Sequence, residues 1–300
     1  RGIKFSSTLN VTEETISGTI FVNNPNYNYS GNSVYSSLNI SSSDKTINSG
    51  YESTKTGYSL GTEFEQYENI FLSPSISASY EEIEVQSSAS SAMKKMDGTY
   101  TNMDFAYGIT VDKRNQVFQP TEGYRTKFIQ SLPIVMDSSS LLNGIDVSAY
   151  HAFSEDVIGA VKFHARAIHG LNNEDVRVTS RLYLPSKRLR GFRAGRVGPK
   201  DGDDWVGGNY TTALGFEAQL PNFLPEATKT DISAFLDTGN VWSVDYSDTL
   251  DDTNKIRSSI GVAANVFTAI GPLSFVLAQD ITKSNTDETE SFNFRIGTSF

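Results

Sequence analysis

Along most of this chain, apolar and polar residues alternate with a period of two. That is the spacing of a strand with one greasy face and one polar face. Ile3, Phe5, Leu9 and Val11 alternate with Lys4, Ser6, Thr8 and Asn10 near one end. At the other end Phe292, Phe294, Ile296 and Phe300 alternate with Asn293, Arg295, Gly297 and Ser299. Between them, Val161, Phe163, Ala165 and Ala167 face Lys162, His164 and Arg166. Leu214, Phe216 and Ala218 alternate with Gly215, Glu217 and Gln219, and Ile232, Ala234 and Leu236 with Ser233, Phe235 and Asp237. Such segments number about fifteen, and residues 178–184 count among them. Residues 81–98, rich in Ser and Glu, predict the first long loop. Residues 88–95 come nearest to a helix but read as short and uncapped. With no linker and no fixed-period repeat, one all-β unit is expected.

The alternation alone does not say which face is wet. A soluble sandwich buries the apolar set; a membrane barrel turns it to lipid and lines its lumen with the polar set. Three features favour the barrel. The polar set is mostly Ser, Thr, Gly and Asn with isolated charges. The segments run about ten residues, as a tilted membrane strand requires. The final segment ends on Phe300, an aromatic suited to an interfacial girdle. No apolar run is long enough for a transmembrane helix. A mean hydropathy of -0.33 is no obstacle, because only one face of each strand is apolar.

Composition narrows the chemistry. The 300 residues include no Cys, which removes disulfides and thiolate metal sites. A net charge of -10 argues against nucleic acid as a partner. Gly57-Tyr58-Ser59-Leu60-Gly61 has the G-x-S-x-G spacing of a nucleophile elbow, but no helix follows it. His164 and His169 are five apart, which puts them on opposite strand faces. No catalytic group, metal site or cofactor is therefore expected. The acidic stretches 201–204 and 248–252 read as solvated loops.

The stretch Leu189-Arg190-Gly191-Phe192, with Arg193, Arg196 and Gly198-Pro199, interrupts the strand pattern. On residue types it fits either a solvated basic hairpin or a loop folded into a polar cavity, where an Arg fork meets carboxylates. By strand parity Glu217 and Asp237 belong to the polar set that such a cavity would expose. Leu189 to Phe192 followed by Val197-Gly198-Pro199 resembles the lumenal loop of the outer-membrane protein assembly-factor superfamily, BamA-like in its barrel portion. Phe235-Leu236-Asp237-Thr238-Gly239-Asn240-Val241-Trp242 and the closing strand 292–300 are similar to later segments of that family. The match is specific from residue 189 onward and weaker but collinear before it.

The resemblance implies a transmembrane antiparallel β-barrel of a sixteen-stranded family. About fifteen strands would lie in this chain, with residues 1–300 forming the barrel domain. The first strand and the periplasmic repeat domains are expected upstream. It also implies that Arg190 reaches Glu217 and Asp237 on the wall. Phe292, Phe294, Ile296, Gly297 and Phe300 would flank a lateral seam and form the C-terminal signal. The implied function is folding and insertion of outer-membrane proteins in a Gram-negative outer membrane. Lipid, unfolded clients and accessory lipoproteins would be the partners. A protein export pore of the two-partner-secretion type, a passive porin and a soluble β-sandwich binding module are the alternatives.

Overall fold

A computed structural model describes residues 2–12, 14–137, 140–221, 230–268 and 271–296. The first strands are β1 (Lys4–Val11), β2 (Thr15–Asn24), β3 (Ser33–Lys45), β4 (Tyr51–Tyr67) and β5 (Ile70–Val85). Next come β6 (Gly98–Asp112), β7 (Gly123–Met136), β8 (Ser140–Ala152) and β9 (Ile158–Gly170). A small hairpin, β10 (Lys200–Asp201) and β11 (Asp204–Trp205), sits inside the long loop 171–209. The chain continues with β12 (Tyr210–Leu220), β13 (Thr230–Trp242), β14 (Arg257–Thr268), β15 (Gly271–Thr282) and β16 (Phe292–Ile296). All but the small hairpin form one antiparallel sheet of 14 strands, in which sheet neighbours follow chain order.

Among the described residues β1 pairs with β2 alone and β16 with β15 alone. The first and last strands nonetheless approach each other. Thr12 and Glu14 of the first hairpin and Asn293 of β16 line one pocket of about 320 Å³. Loop 171–209 also touches walls far apart in strand order, Glu81 on β5 and Asp237 on β13. The sheet therefore curls around that loop.

The greasy side faces out. Phe216 is 45% exposed and Leu236 39%, whereas Asp237, next to Leu236 in sequence, is 1% exposed on the inside. Phe5, Leu60, Ile76, Val161, Ile260 and Leu277 are likewise exposed. In water such a surface would aggregate; in lipid it is the wall that lets each backbone polar group pair strand to strand.

The two ends differ. Loops at one end are long and pack into a cap. Tyr51, Ile83, Met93, Met96, Val178, Val206 and Val244 form its buried apolar cluster. This explains why β4 spans 17 residues and β5 16, well beyond the ten of β2. Their outer ends carry the cap rather than cross lipid. Turns at the other end are shorter, such as residues 68–69 and 153–157.

Three readings of the sequence change here. Residues 178–184 are no strand; in them only Leu182 makes a bridge, to Gly208. Val178 enters the cap cluster, while Leu184 packs with the loop core. Residues 81–85 belong to β5 rather than to a loop, since Ile83 is needed inside the cap. A short helix α1 (Ser91–Lys94) lies within 88–95, and it is capped, because the Ser90 side chain accepts from the Met93 amide. Within β7, Pro133 is followed by a register shift opposite Met103 and Asp104, where the missing N–H is absorbed as a bulge. Gly57 to Gly61 sit inside β4, so no nucleophile elbow exists there.

Candidate functional site

The site is the inside of the barrel, where loop 171–209 is anchored. Its anchor is built from two strands. β12 and β13 pair so that Gly215 faces Asp237 and Glu217 faces Phe235. The Arg190 side chain crosses this pair. Nε donates to Asp237 Oδ2 at 2.7 Å and Nη2 to Oδ1 at 2.8 Å, a two-pronged fork. Nη1 donates to Glu217 Oε2 at 3.0 Å, and the Arg190 amide donates to Asp237 Oδ2 at 3.0 Å. The guanidinium lies 3.6 Å from the Phe235 ring centroid, so an aromatic face supports its plane. Lys162 on β9 also donates to Glu217 Oε2, at 3.2 Å. Asp237 is thus saturated by Arg190, while Glu217 is shared.

Glycine makes the approach possible. Gly191 has φ +88°, and a Cβ there would meet Ala278 Cβ at 2.9 Å. Gly198 has φ +109°, and its Cβ would meet Val241 Cβ at 2.9 Å. Any other residue would be strained at both and would push the loop off the wall. Leu189, Phe192 and Val197 fill the space beside Leu184, Ala213 and Val241.

Three further anchors were not singled out from the sequence. Arg188 donates to Asp146 Oδ1 at 2.9 Å, and Asp146 also takes His164 Nδ1 at 2.8 Å and the guanidinium of Arg166. Asp146 obeys the same inward parity as Glu217 and stands opposite His164, so the signal was present. Arg193 and Arg196 both donate to Glu288 Oε2, at 3.0 and 2.6 Å. Backbone bonds reinforce this clamp between the loop and the β15–β16 connection: Arg193 N to Glu288 O, Glu288 N to Arg196 O, and Glu290 N to Gly191 O. Burial pushes the Glu288 carboxyl up, but hydrogen bonds and charge from Arg196 and Arg193 outweigh it and hold it below the usual carboxylate range.

The third anchor is Arg257, which is fully buried. It donates to Asp287 through Nε at 2.8 Å and Nη2 at 2.9 Å, to Asp252 at 2.7 Å and to Asn240 at 2.6 Å. Asp287 also accepts from the Gly198 amide at 3.4 Å, which ties the glycine of the loop to the last connection. Asp287 and Glu288 lie in an acidic stretch without alternation, where no sequence signal distinguishes them from solvated charges.

Of the residues expected at the closing seam, Phe292 and Phe294 are exposed on β16, and Ile296 pairs with Leu273. Gly297 and Phe300 lie outside the described residues. His169 pairs with Tyr210 at 2.8 Å, apart from His164, so the two histidines share no site.

A sheet turned greasy side out around an Arg-anchored loop is a specific arrangement. The sequence profile of the Omp85 superfamily domain matches residues 1–300. The chain belongs to the Omp85 superfamily. The outer membrane protein assembly factor BamA of Neorickettsia risticii is 24% identical over 263 residues, covering 86% of this chain and 35% of that protein. The chain thus spans about a third of that relative's length. The crystal structure of BamA from Haemophilus ducreyi lacking POTRA domains 1–3 superposes with a TM-score of 0.87 at 20% identity, over 98% of this chain and 64% of that one. CdiB from Acinetobacter baumannii superposes with a TM-score of 0.60 at 11% identity, over 98% of this chain and 53% of that one. The fold is a transmembrane antiparallel β-barrel fold, and its membrane is the Gram-negative outer membrane.

Proposed function

We propose that this Omp85 barrel folds and inserts outer-membrane proteins, using a lateral seam between its first and last strands. The observation that carries the reading is the pocket shared by the first hairpin and β16, beside sheet edges that, among the described residues, pair on one side only. β1 is exposed along all eight residues. Such an edge offers unpaired N–H and C=O groups, which template an incoming strand by β-augmentation. No bond chemistry is required. The clients would be unfolded outer-membrane proteins, and accessory lipoproteins would assist.

The loop then acts as a latch. Its Leu189–Phe192 and Gly198-Pro199 motif joins the wall at Glu217 and Asp237 to the connection that precedes β16. In this reading Phe292, Phe294, Ile296, Gly297 and Phe300 flank the seam and carry the C-terminal signal. Residues 1–300 are the barrel domain, and periplasmic repeat domains precede it in the full protein.

The likeness to CdiB favours one second reading, an export pore. A single experiment separates the two. The full-length protein is reconstituted in liposomes and given a urea-unfolded outer-membrane barrel. Faster appearance of heat-modifiable, membrane-embedded client than in empty liposomes is expected. No acceleration, with a partner polypeptide instead crossing the bilayer, would favour export.

A further inference from the structure

We propose that the outer wall over β9, β12 and β13 holds one acyl chain of an amine-bearing phospholipid from the leaflet at the short-turn end. This rests on the outward-facing apolar wall alone and not on the assembly reading.

Outward side chains stand in rows across the strands. Val161, Phe216 and Leu236 are register partners and form a ridge. One row nearer the short turns, the partners are Gly159, Ala218 and Ala234, all small. Phe153, from the β8–β9 turn, closes the trough; its ring lies 2.6 Å from where a Gly159 Cβ would stand. The result is an apolar cavity of about 510 Å³ on the face where bulky side chains otherwise protrude. That volume suits a single ligand chain.

The occupant follows from the position. The cavity opens on the apolar face that meets lipid, so hydrocarbon fills it. Lipid already surrounds the wall, so retention comes from packing contacts and the headgroup rather than from hydrophobic transfer. Short turns mark the periplasmic side of such barrels, which selects the inner leaflet. At that rim the turn carries exposed Glu155 and Asp156, and among the residues lining the cavity the one basic side chain is His151, whose ring packs edge-on against Phe153. Two carboxylates attract an ammonium headgroup and repel a net anionic one.

The test uses the full-length protein in nanodiscs of mixed phosphatidylethanolamine and phosphatidylglycerol, released into native mass spectrometry. One phosphatidylethanolamine per chain is expected to survive release. Ala218→Leu with Ala234→Leu fills the trough and should cut retention about tenfold, which corresponds to a modest loss of contact energy. Ala218→Val alone is a milder version should the pair fail to fold, with heat-modifiable gel mobility as the folding check. Glu155→Lys with Asp156→Lys should turn the preference to phosphatidylglycerol. Equal retention by folded, filled variants would overturn the site, leaving annular lipid only. An unchanged preference after charge reversal would overturn the headgroup assignment.

Discussion

Replacing Arg190 with Ala should release the lumenal loop and destabilise the barrel by about 3–5 kcal/mol, the range for removing one partner of a buried ion pair. The cost falls mainly on Asp237. That carboxylate is almost wholly buried and, among the described residues, would keep only the backbone amide at position 190 as donor. Glu217 would keep Lys162. Asp237→Asn should therefore cost more than Glu217→Gln, although both contact the same guanidinium. Arg190→Lys should rescue little, because an ammonium cannot donate the two-pronged fork or lie flat on Phe235. The chain has two Trp, and Trp205 is buried in the loop, so tryptophan emission reports loop release. A urea midpoint and Trp205 environment unchanged by Arg190→Ala would rule the latch out.

Arg257→Ala should be equally costly and for a cleaner reason. Arg257 and Asp287 are both fully shielded, so the variant leaves an uncompensated buried carboxylate. Loss of about 3–5 kcal/mol is expected. Substituting both residues by apolar ones of similar volume should recover much of that loss, because the fully shielded Asp287 carboxylate is removed with its partner and the Asp252 carboxylate that stays behind keeps some access to solvent. A double-mutant cycle in urea, followed by gel mobility, measures the coupling. Additive single and double effects would show that the pair is not a unit. The same variant should loosen Gly198, whose amide Asp287 accepts, and so connects the cap end of the barrel with the loop.

Much of this fold was legible because strand parity is a strict rule. The period of two placed Phe216 and Leu236 outside and Glu217 and Asp237 inside, and the structure has them there. The loop was legible through its glycines and its arginine. Parity was also sufficient for Asp146 and Arg257, whose neighbours alternate cleanly, but it names a face and not a partner. Arg188 finds Asp146 only because the loop returns across β8, a contact separated by 42 residues. Asp287 and Glu288 had no local signature at all. An acidic connection looks the same whether it is solvated or meets three arginines. Residues 178–184 misled for the opposite reason: a loop threaded between a cap and a wall buries Val178, Arg181 and Leu184 without pairing as a strand.

In the proposed mechanism the barrel works by parting between its first hairpin and its last strand. The chain has no Cys, so Thr12→Cys with Asn293→Cys introduces the only thiols in these residues, one on each side of the shared pocket. A cleavable bismaleimide joining them in the full-length protein should abolish insertion of unfolded client into liposomes, and cleavage should restore it. Linked protein that stays folded and inserts client at the unlinked rate would contradict the account.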